Sequence, residues 1–440
     1  MSNPLKMLSL VAILIAAICH IESGIIVGYV PNWPTLDLSY VDPESVTHLL
    51  YAFVGIKQDG SVDYKKDHFQ MLMEFKNKNL GIKILPSIGG ATYTWMFNSL
   101  ASLGQLQKFV SSCAQLVSQY NLDGIDIDWE YPQGTAQRTI YANILKELRK
   151  ALPDKLLMSA VPAGNQNFGG FDTAAMNKYL DYAAIMSYDY HAASWDSRTG
   201  HNSPLYGSGA FTTKGSIDEW EKVGLNRNIM VVGLAFYGRT WRLSTSNSGV
   251  GAPTSGVGSG TEGILTYDQI RGNKWQEKWD DIAQVPYGLR GSEWLSYDNE
   301  KSLTNKVKWS CDNKMAGVMV WELSQDKSKT LIHAISDTMK QCGGGNPIKP
   351  SKGTTPHPYW DTTTPDTAPP DYGDNGCLSD TNEICNRSGP VLAAYPPDCG
   401  KYVNCNPEAN QAIMPCPATL VFNPSVQTCD YDYNYNCQSC

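Results

Sequence analysis

The chain has 440 residues, of which 42% are hydrophobic and 18% charged, and its formal net charge is −8. This acidic balance disfavours a nucleic-acid partner, because nucleic-acid binding depends on Lys and Arg side chains that neutralise phosphates. The length fits a barrel of roughly 250 to 400 residues followed by a smaller domain. Nothing in the sequence indicates a cofactor, and we expect a monomer.

Residues 1–23 predict a signal peptide. Lys6 supplies a positive charge, Leu8–Ile18 is a short apolar run, and Ser23 is a small residue at the cleavage site. The apolar run is shorter than the ~20 residues that span a bilayer, and no second run follows, so no membrane partner is expected. We therefore expect a secreted, extracellular protein in a compartment where disulfides persist.

Between Gly24 and about Gln341, short β-branched runs alternate with longer amphipathic stretches. Eight strands that alternate with helices predict a parallel α/β sheet, and eight is the number that closes a (β/α)₈ TIM barrel. No Gly-x-Gly-x-x-Gly follows the first strand, so a nucleotide-binding fold has no support. The predicted strands are Ile25–Val30, Thr47–Val54, Gly81–Ile88, Asp123–Glu130, Leu156–Pro162, Tyr182–Tyr188, Ile229–Phe236 and Met315–Glu322. The predicted helices are Asp67–Asn79, Gln105–Tyr120, Arg138–Ala151 and Lys327–Gln341.

Three stretches depart from this alternation. The segment from about 239 to 295, rich in Gly, Ser, Trp and Tyr, predicts a small α+β insertion between the seventh and eighth strands of the 24–342 barrel. Residues 343–376 are rich in Thr and Pro, which predicts an extended linker. Residues 377–440 hold eight of the twelve cysteines, which predicts a small disulfide-rich β module.

The segment Asp123-Gly-Ile-Asp-Ile-Asp-Trp-Glu130 carries the predicted chemistry. In a strand, residues two apart share a face, so Asp126, Asp128 and Glu130 point inward while the intervening apolar residues pack outward. Carboxylates ~6–7 Å apart in a poorly polar interior repel, so at least one retains a proton near neutral pH. Glu130 lies last, at the C-terminal rim where barrel enzymes place their chemistry, and is the candidate proton donor.

Two other interpretations of this carboxylate row are a metal site and a solvated acidic strand. A metal site usually includes His, and no His lies near the segment. A solvated strand does not need the alternation with Ile and Trp. Both observations favour catalysis, and no metal is expected.

The segment resembles the Asp-x-x-Asp-x-Asp-x-Glu signature of glycoside hydrolase family 18, which stands on the fourth barrel strand of that family. Ser87-Ile-Gly-Gly90 resembles its third-strand motif, Met186-Ser-Tyr-Asp189 its sixth, and Tyr237-Gly-Arg239 the end of its seventh. The resemblance covers about 24–341 and is highly specific. It implies a chitinase that cleaves β-1,4-linked N-acetylglucosamine by a substrate-assisted retaining mechanism.

The resemblance also implies a role for each catalytic candidate. Glu130 would protonate the glycosidic oxygen and later activate water, while the substrate's own N-acetyl carbonyl attacks the anomeric carbon. Asp128 would orient the acetamido N–H, Asp126 would share its charge, and Tyr188 would hydrogen-bond the acetamido oxygen. Asp123 has the other strand parity, so we assign it a supporting role.

Aromatic and polar residues at the family's positions predict the substrate subsites. One departs from the pattern: the family often has an aromatic residue directly after Gly-Gly, whereas here Ala91 follows and Trp95 comes later. The candidate substrate-binding residues are Tyr29, Trp33, Phe53, Trp95, Tyr131, Met186, Asp189, Tyr237, Arg239 and Trp321.

The C-terminal cysteines resemble the peritrophin-A type of chitin-binding domain. Zinc is disfavoured there, because the segment has no His. Spacing alone leaves 15 connectivities of six cysteines open; the resemblance implies Cys385-Cys405, Cys399-Cys437 and Cys416-Cys429. Its candidate sugar contacts are Tyr402, Phe422, Asn423 and Tyr431, and Asn386-Arg-Ser388 is an N-glycosylation acceptor.

Three other functions compete with chitin hydrolysis. A non-catalytic chitin-binding lectin on the same barrel would typically lack the acid at Glu130, which this chain keeps. An endo-β-N-acetylglucosaminidase acting on N-glycans would not need the chitin-binding tail. A structural cuticle or gut-lining protein would explain the tail and leave the carboxylate row unexplained. We therefore expect chitin and N-acetylglucosamine oligosaccharides as the partners.

Overall fold

A computed structural model describes residues 24–342, 392–394, 401–404, 413–415, 420–423 and 428–431. The predicted signal peptide, the predicted linker and Asn386 lie outside the described residues. The chain forms two compact units, Met1–Lys352 and Gly353–Cys440. No helix within the described residues is long and apolar enough to cross a membrane.

The first unit alternates strands and helices along most of its length. Short 3₁₀ helices are inserted at Thr94–Ala101, Asn165–Gly170, Arg227–Ile229 and Leu323–Gln325. In chain order the other elements are β1 (Ile25–Pro31), β2 (His48–Ile56), β3 (Val62–Asp63), α1 (Lys66–Lys78), β4 (Lys83–Gly89), α2 (Leu103–Gln119), β5 (Gly124–Asp128), α3 (Gly134–Ala151), β6 (Leu156–Pro162), α4 (Thr173–Tyr179), β7 (Tyr182–Met186), α5 (Thr213–Lys222), β8 (Met230–Ala235), β9 (Tyr237–Leu243), β10 (Thr254–Val257), β11 (Ile264–Thr266), α6 (Tyr267–Gly272), β12 (Gln276–Asp280), β13 (Val285–Arg290), β14 (Glu293–Ser296), α7 (Glu300–Asp312), β15 (Gly317–Trp321) and α8 (Thr330–Gln341).

Eight of these strands close into a parallel barrel. Their order is β1-β2-β4-β5-β6-β7-β8-β15, and β15 pairs back with β1. The predicted TIM barrel is therefore confirmed, with strand bounds that differ from the predicted ones by at most two residues at either end. Closure brings the C-terminal ends of all eight strands to one rim, where side chains distant in sequence meet.

Two apolar layers hold the barrel together, and strand alternation separates them. Val27, Leu50 and Met158 belong to the cluster inside the barrel. Ile26 and Leu49, their neighbours in sequence, belong to the larger cluster between strands and helices. This follows from the period of two in a strand, because each strand is buried on both faces.

The predicted α+β insertion between the seventh and eighth barrel strands is present as an antiparallel sheet. Its strand order is β10-β9-β14-β13-β12, with β11 paired to β9, and α6 follows β11. The sheet begins at Tyr237, and a single residue separates it from the end of barrel strand β8. Consequently Tyr237 and Arg239 stand at the rim.

Cysteine pairing in the first unit was left open by the sequence. Cys311, near the end of α7, forms a disulfide with Cys342, which follows α8. Cys113 is buried and unpaired on α2. Burial raises the pKa of its thiol, so it behaves as a small apolar core residue.

The described strands of the second unit form two small antiparallel sheets. One contains β16 (Leu392–Ala394), β17 (Lys401–Asn404) and β18 (Ile413–Pro415); the other pairs β19 (Leu420–Asn423) with β20 (Thr428–Tyr431). The predicted sugar contacts Tyr402, Phe422, Asn423 and Tyr431 lie on these strands. Each predicted disulfide includes a cysteine outside the described residues, so the pairings stay predictions.

Candidate active site

Strand β5 directs its two aspartates into the barrel. Asp126 and Asp128 are almost completely buried. Trp129 points to the other side, where its ring stacks on Phe97 at a centroid distance of 4.9 Å. Asp123 lies outside this arrangement and accepts hydrogen bonds from Lys76 Nζ (2.6 Å) and the Ile84 N–H (2.7 Å). The alternation predicted for the segment is confirmed, and Asp123 ties β5 to its neighbours.

Asp126 lies deepest of the three carboxylates. Its Oδ2 accepts hydrogen bonds from Tyr29 Oη (2.9 Å) and Ser87 Oγ (2.7 Å), while its Oδ1 has no partner among the described residues. Burial raises the pKa of Asp126 to about 6, against the opposite effect of the two hydrogen bonds. A buried carboxyl with one unpaired oxygen is suited to share a proton with a neighbour.

Asp128 occupies the middle of the row. Burial raises the pKa of its carboxyl, and the charges of Glu130 and then Asp126 raise it further. Its Oδ1 has no hydrogen-bond partner among the described residues. The pKa values of all three carboxyls are raised, so Asp126, Asp128 and Glu130 are not all ionised at neutral pH.

Glu130 lies two residues beyond the end of β5, so the strand ladder does not fix it. Its backbone N–H donates to Thr94 Oγ1 at 2.7 Å. Its carboxylate receives hydrogen bonds from the Ala91 N–H and the Tyr131 hydroxyl. Burial and the nearby charge of Asp189 raise the pKa of Glu130 to about 7 despite these bonds. A carboxyl with this pKa carries a proton over much of the neutral range.

A second polar cluster joins the end of β7 to the insertion. Asp189 Oδ1 accepts hydrogen bonds from Tyr237 Oη (2.6 Å) and Arg239 Nε (2.7 Å). The guanidinium carbon of Arg239 also lies 5.1 Å from the ring centroid of Trp195. Asn202 Oδ1 accepts the Asp189 N–H at 3.2 Å. These contacts fix Asp189 at a left-handed φ of 59° beside Glu130.

Four aromatic rings form a continuous surface at the ends of β1, β2 and β15. Phe53 stacks on Trp321 at 5.6 Å and on Trp33 at 6.0 Å, and Tyr29 meets Trp321 edge-on at 5.2 Å. Trp33 is 49% exposed, so one face is open to a ligand. Gly90 is required nearby, because a Cβ at this position would lie 2.5 Å from the Phe53 ring.

A cavity of about 590 Å³ opens over Glu130. Five of the predicted site residues do not line the cavity but contact residues that do. Asp126 contacts Tyr29, Trp33 and Phe53 contact Trp321, and Tyr237 and Arg239 contact Asp189. Trp95 does not line it either, and is 67% exposed on the 3₁₀ helix 94–101. The predicted site residues that line it are Tyr29, Asp128, Glu130, Tyr131, Met186, Tyr188, Asp189 and Trp321.

Tyr188 and Met186 stand at the end of β7 on the cavity wall. The Tyr188 hydroxyl donates to Met319 Sδ at 3.8 Å, a weak interaction that leaves it available to a better acceptor. Burial and nearby charges raise the pKa of Tyr188, so the hydroxyl keeps its proton. It is therefore a hydrogen-bond donor in the cavity.

Sequence reasoning missed one side of the cavity. The wall from β6 to α5 includes loop residues with no periodic pattern and no family motif quoted above. Met186-Ser-Tyr-Asp189 was the only available signal, since it ends where this loop begins. The missed lining residues are Ala91, Pro162, Ala163, Gly164, Gln166, Asn167, Tyr190, His191, Trp195, Asp196 and Phe211.

Among the described residues, no group of three or more His, Cys, Asp and Glu side chains has an arrangement that would hold a metal ion. The neighbouring carboxylates are instead held by tyrosine, serine and backbone donors. Carboxyls held in this way can transfer protons and can accept hydrogen bonds from a bound ligand.

Several known proteins are similar to this chain in sequence and fold. The chain is 27% identical to mouse Chitotriosidase-1 over 92% of this chain and 95% of the relative. It is 31% identical to Drosophila melanogaster Probable chitinase 2 over 70% and 72%. The crystal structure of Ostrinia furnacalis Group IV chitinase in complex with allosamidin matches with a TM-score of 0.68 and 28% identity, over 72% of this chain and 99% of that one.

A protein described as a pseudo-chitinase is equally similar in fold. Human YKL-39, described as a pseudo-chitinase with retained chitooligosaccharide binding properties, matches with a TM-score of 0.68 and 27% identity, over 72% of this chain and 100% of that one. The family model of chitin binding Peritrophin-A domains matches residues 385–437. The model of glycosyl hydrolases family 18 matches residues 25–326, and the chain therefore belongs to that family.

Proposed function

We propose that the chain is a secreted chitinase that hydrolyses β-1,4 linkages between N-acetylglucosamine units by a substrate-assisted retaining mechanism. Its parts would be a signal peptide (1–23), a catalytic barrel (24–342), a linker (343–376) and a chitin-binding module (377–440). The single observation that carries the proposal is Glu130, a carboxyl with a pKa of about 7 in a cavity lined by aromatic rings.

In the first step, Glu130 donates its proton to the glycosidic oxygen as the bond to the anomeric carbon breaks. The acetamido carbonyl oxygen of the same sugar bonds to that carbon and gives an oxazolinium ion. Asp128 accepts the acetamido N–H, and Tyr188 donates to the acetamido oxygen. The charges of Glu130 and Asp126 favour the protonated form of Asp128. The positive charge that develops on the acetamido group has the opposite effect and stabilises the Asp128 anion.

In the second step, Glu130 removes a proton from water as the water oxygen attacks the anomeric carbon. The bond to the acetamido oxygen breaks, and the product has the configuration of the substrate. Two inversions at one carbon give retention without a second carboxylate as nucleophile. Asp126 would exchange a proton with Asp128 during the cycle, since both have an unpaired oxygen.

The proposal is tested with chitin hexasaccharide and the full secreted chain, by chromatography and by NMR of the newly formed anomer. We expect short oligomers whose first-formed anomer is β. Cellohexaose, which lacks the acetamido group, should not be cleaved. Binding of chitin without cleavage would support the pseudo-chitinase alternative that YKL-39 illustrates. Cleavage with inversion would contradict the mechanism while leaving the substrate assignment intact.

Activity should fall as pH rises through the pKa of Glu130. The protonated form is the donor, and burial together with Asp189 raises this pKa to about 7. We therefore expect kcat/KM for the hexasaccharide to fall about tenfold per pH unit above about 7. Asp189→Asn removes the nearby charge, so it should move this limb to lower pH. Asp312→Asn, at the exposed end of α7, is the control and should leave the limb unmoved.

Thr94 should act as a positioning residue for Glu130. Thr94→Val keeps the shape of the side chain and removes the acceptor of the Glu130 N–H. We expect kcat for the hexasaccharide to fall up to about tenfold with little change in KM, in line with the loss of one hydrogen bond. Thr94→Ser keeps the hydroxyl and should restore kcat. Equal losses in both variants would show that the methyl group matters instead.

A further inference from the structure

The aromatic surface at the ends of β1, β2 and β15 includes an irregularity in β2. The register between β2 and β4 shifts between Ala52 and Val54, so Phe53 has no paired residue in either neighbouring strand of the described barrel. Such a bulge re-aims a side chain relative to the alternation of the strand. Tyr51 accordingly belongs to the outer apolar cluster, whereas Phe53 packs against the inner one and stacks on Trp33. The barrel ladder therefore does not fix the backbone at Phe53.

Asn32 supplies contacts at this irregularity from the end of β1. Its backbone N–H donates to Ala52 O at 2.8 Å, and its Nδ2 donates to Phe53 O and to Tyr51 Oη, both at 2.9 Å. A primary amide nitrogen has two hydrogens, so both donors of the side chain are used. Because Trp33 directly follows Asn32, the same residue fixes the two stacked rings relative to each other.

His68, in the first turn of α1, lies at the other end of this chain of hydrogen bonds. Tyr51 is completely buried, and its Oη lies 2.9 Å from His68 Nδ1. Burial and then the charge of Lys65 lower the pKa of His68 against the opposite effect of Asp67, so the imidazole is neutral at neutral pH. Since Asn32 already donates to Tyr51 Oη, the one hydroxyl hydrogen is left for His68 Nδ1 to accept. The donors thus run in one direction, from Asn32 through Tyr51 to His68.

We propose that Tyr51 and His68 are positioning residues for the binding of chitin chains, and that they act through Asn32. Asn32 sets the position of Trp33 and Phe53, whose ring faces can bind the apolar faces of sugar rings. Neither Tyr51 nor His68 lines the cavity, so their effect on a ligand is indirect. This inference rests on the proposed function, because it concerns the affinity for that substrate.

The test compares KM and kcat of wild type, Tyr51→Phe and Tyr141→Phe on chitin hexasaccharide. Tyr51→Phe keeps the ring and removes the hydroxyl. We therefore expect KM to rise about three- to tenfold, as for one lost hydrogen bond, with kcat within about twofold of wild type. Tyr141 is the matched control, because it is also completely buried and its hydroxyl donates to Ser159 Oγ at 2.9 Å. Tyr141→Phe loses a hydroxyl of the same kind and should keep the wild-type KM.

Two variants of His68 test its role as the acceptor. His68→Leu removes the acceptor and should raise KM as Tyr51→Phe does. His68→Asn can place its amide oxygen near the position of Nδ1, so its KM should stay within about twofold of wild type. Equal rises in both variants would overturn the acceptor role and indicate that the packing of the imidazole ring matters instead.

A double variant tests whether the effect passes through the aromatic surface. In a chain with Trp33→Ala, addition of Tyr51→Phe should raise KM by less than about twofold, because a ring that Asn32 positions is gone. A full three- to tenfold rise in that background, or an unchanged KM in Tyr51→Phe alone, would overturn the inference.

The proposed function can fail separately from this inference. If wild type does not cleave the hexasaccharide, the proposed function fails, and the hexasaccharide affinities of the same full chains decide the inference. Weaker affinity in Tyr51→Phe but not in Tyr141→Phe would support it. An affinity of Tyr51→Phe equal to that of wild type would reject it.

Discussion

Replacement of Glu130 by Gln is expected to lower kcat on chitin hexasaccharide by about 10²- to 10⁴-fold, the range of general acid–base catalysis. The amide has the shape of the carboxyl but cannot donate a proton of suitable acidity or accept one from water. Both steps of the proposed mechanism use this group, so the loss should fall near the upper end. The measurement is the initial rate of oligomer release by the full chain.

Binding separates this loss from unfolding or a collapsed cleft. Glu130→Gln leaves the aromatic surface of Trp33, Phe53 and Trp321 intact, so hexasaccharide affinity should stay within about twofold of wild type. Glu74→Gln is the matched control on the exposed side of α1, and it should be fully active. Residual activity of Glu130→Gln close to that of wild type would assign the proton transfer to another group.

The inner carboxylates were predictable because β-strand alternation is a strong constraint. In this strand the apolar residues Ile125 and Ile127 pack against the helices, so Asp126 and Asp128 on the other face point into the barrel. The barrel was predictable for a similar reason, since eight strands alternating with helices have few other closed arrangements. The ends of the elements were predicted less accurately: the strand that was predicted to reach Glu130 ends at Asp128.

The features that sequence reasoning missed depend on contacts between distant loops. Thr94, at the start of a 3₁₀ helix, accepts a hydrogen bond from the Glu130 N–H, and no periodic pattern in the sequence predicts this contact. Phe211 lines the cavity from the loop that precedes α5, and no motif marks it. Trp95 was predicted as a subsite from its nearness to Gly-Gly, and it lies outside the cavity lining. Its role in sugar binding remains a prediction.

A buried ion pair is connected to the loop that follows β7. Lys306 Nζ lies 2.7 Å from Asp298 Oδ2, and both side chains are completely buried. Asp298 also accepts hydrogen bonds from Ser203 Oγ and Ser302 Oγ, both at 2.6 Å. Ser203 follows Asn202, which accepts the Asp189 N–H. The pair therefore connects helix α7 to the loop that contacts Asp189.

Replacement of Lys306 by Met should lower the free energy of unfolding of the barrel by about 3–5 kcal/mol, because Asp298 would remain buried without a counter-ion. Lys308→Met, an exposed position on the same helix, should change it by less than about 0.5 kcal/mol. Asp298→Asn added to Lys306→Met removes the unpaired charge and should recover part of the loss. Urea denaturation followed by tryptophan fluorescence gives these values, and equal midpoints for the two single variants would contradict the argument. If the pair also positions Asp189 through the loop, Lys306→Met should lower kcat at temperatures where the barrel is still folded.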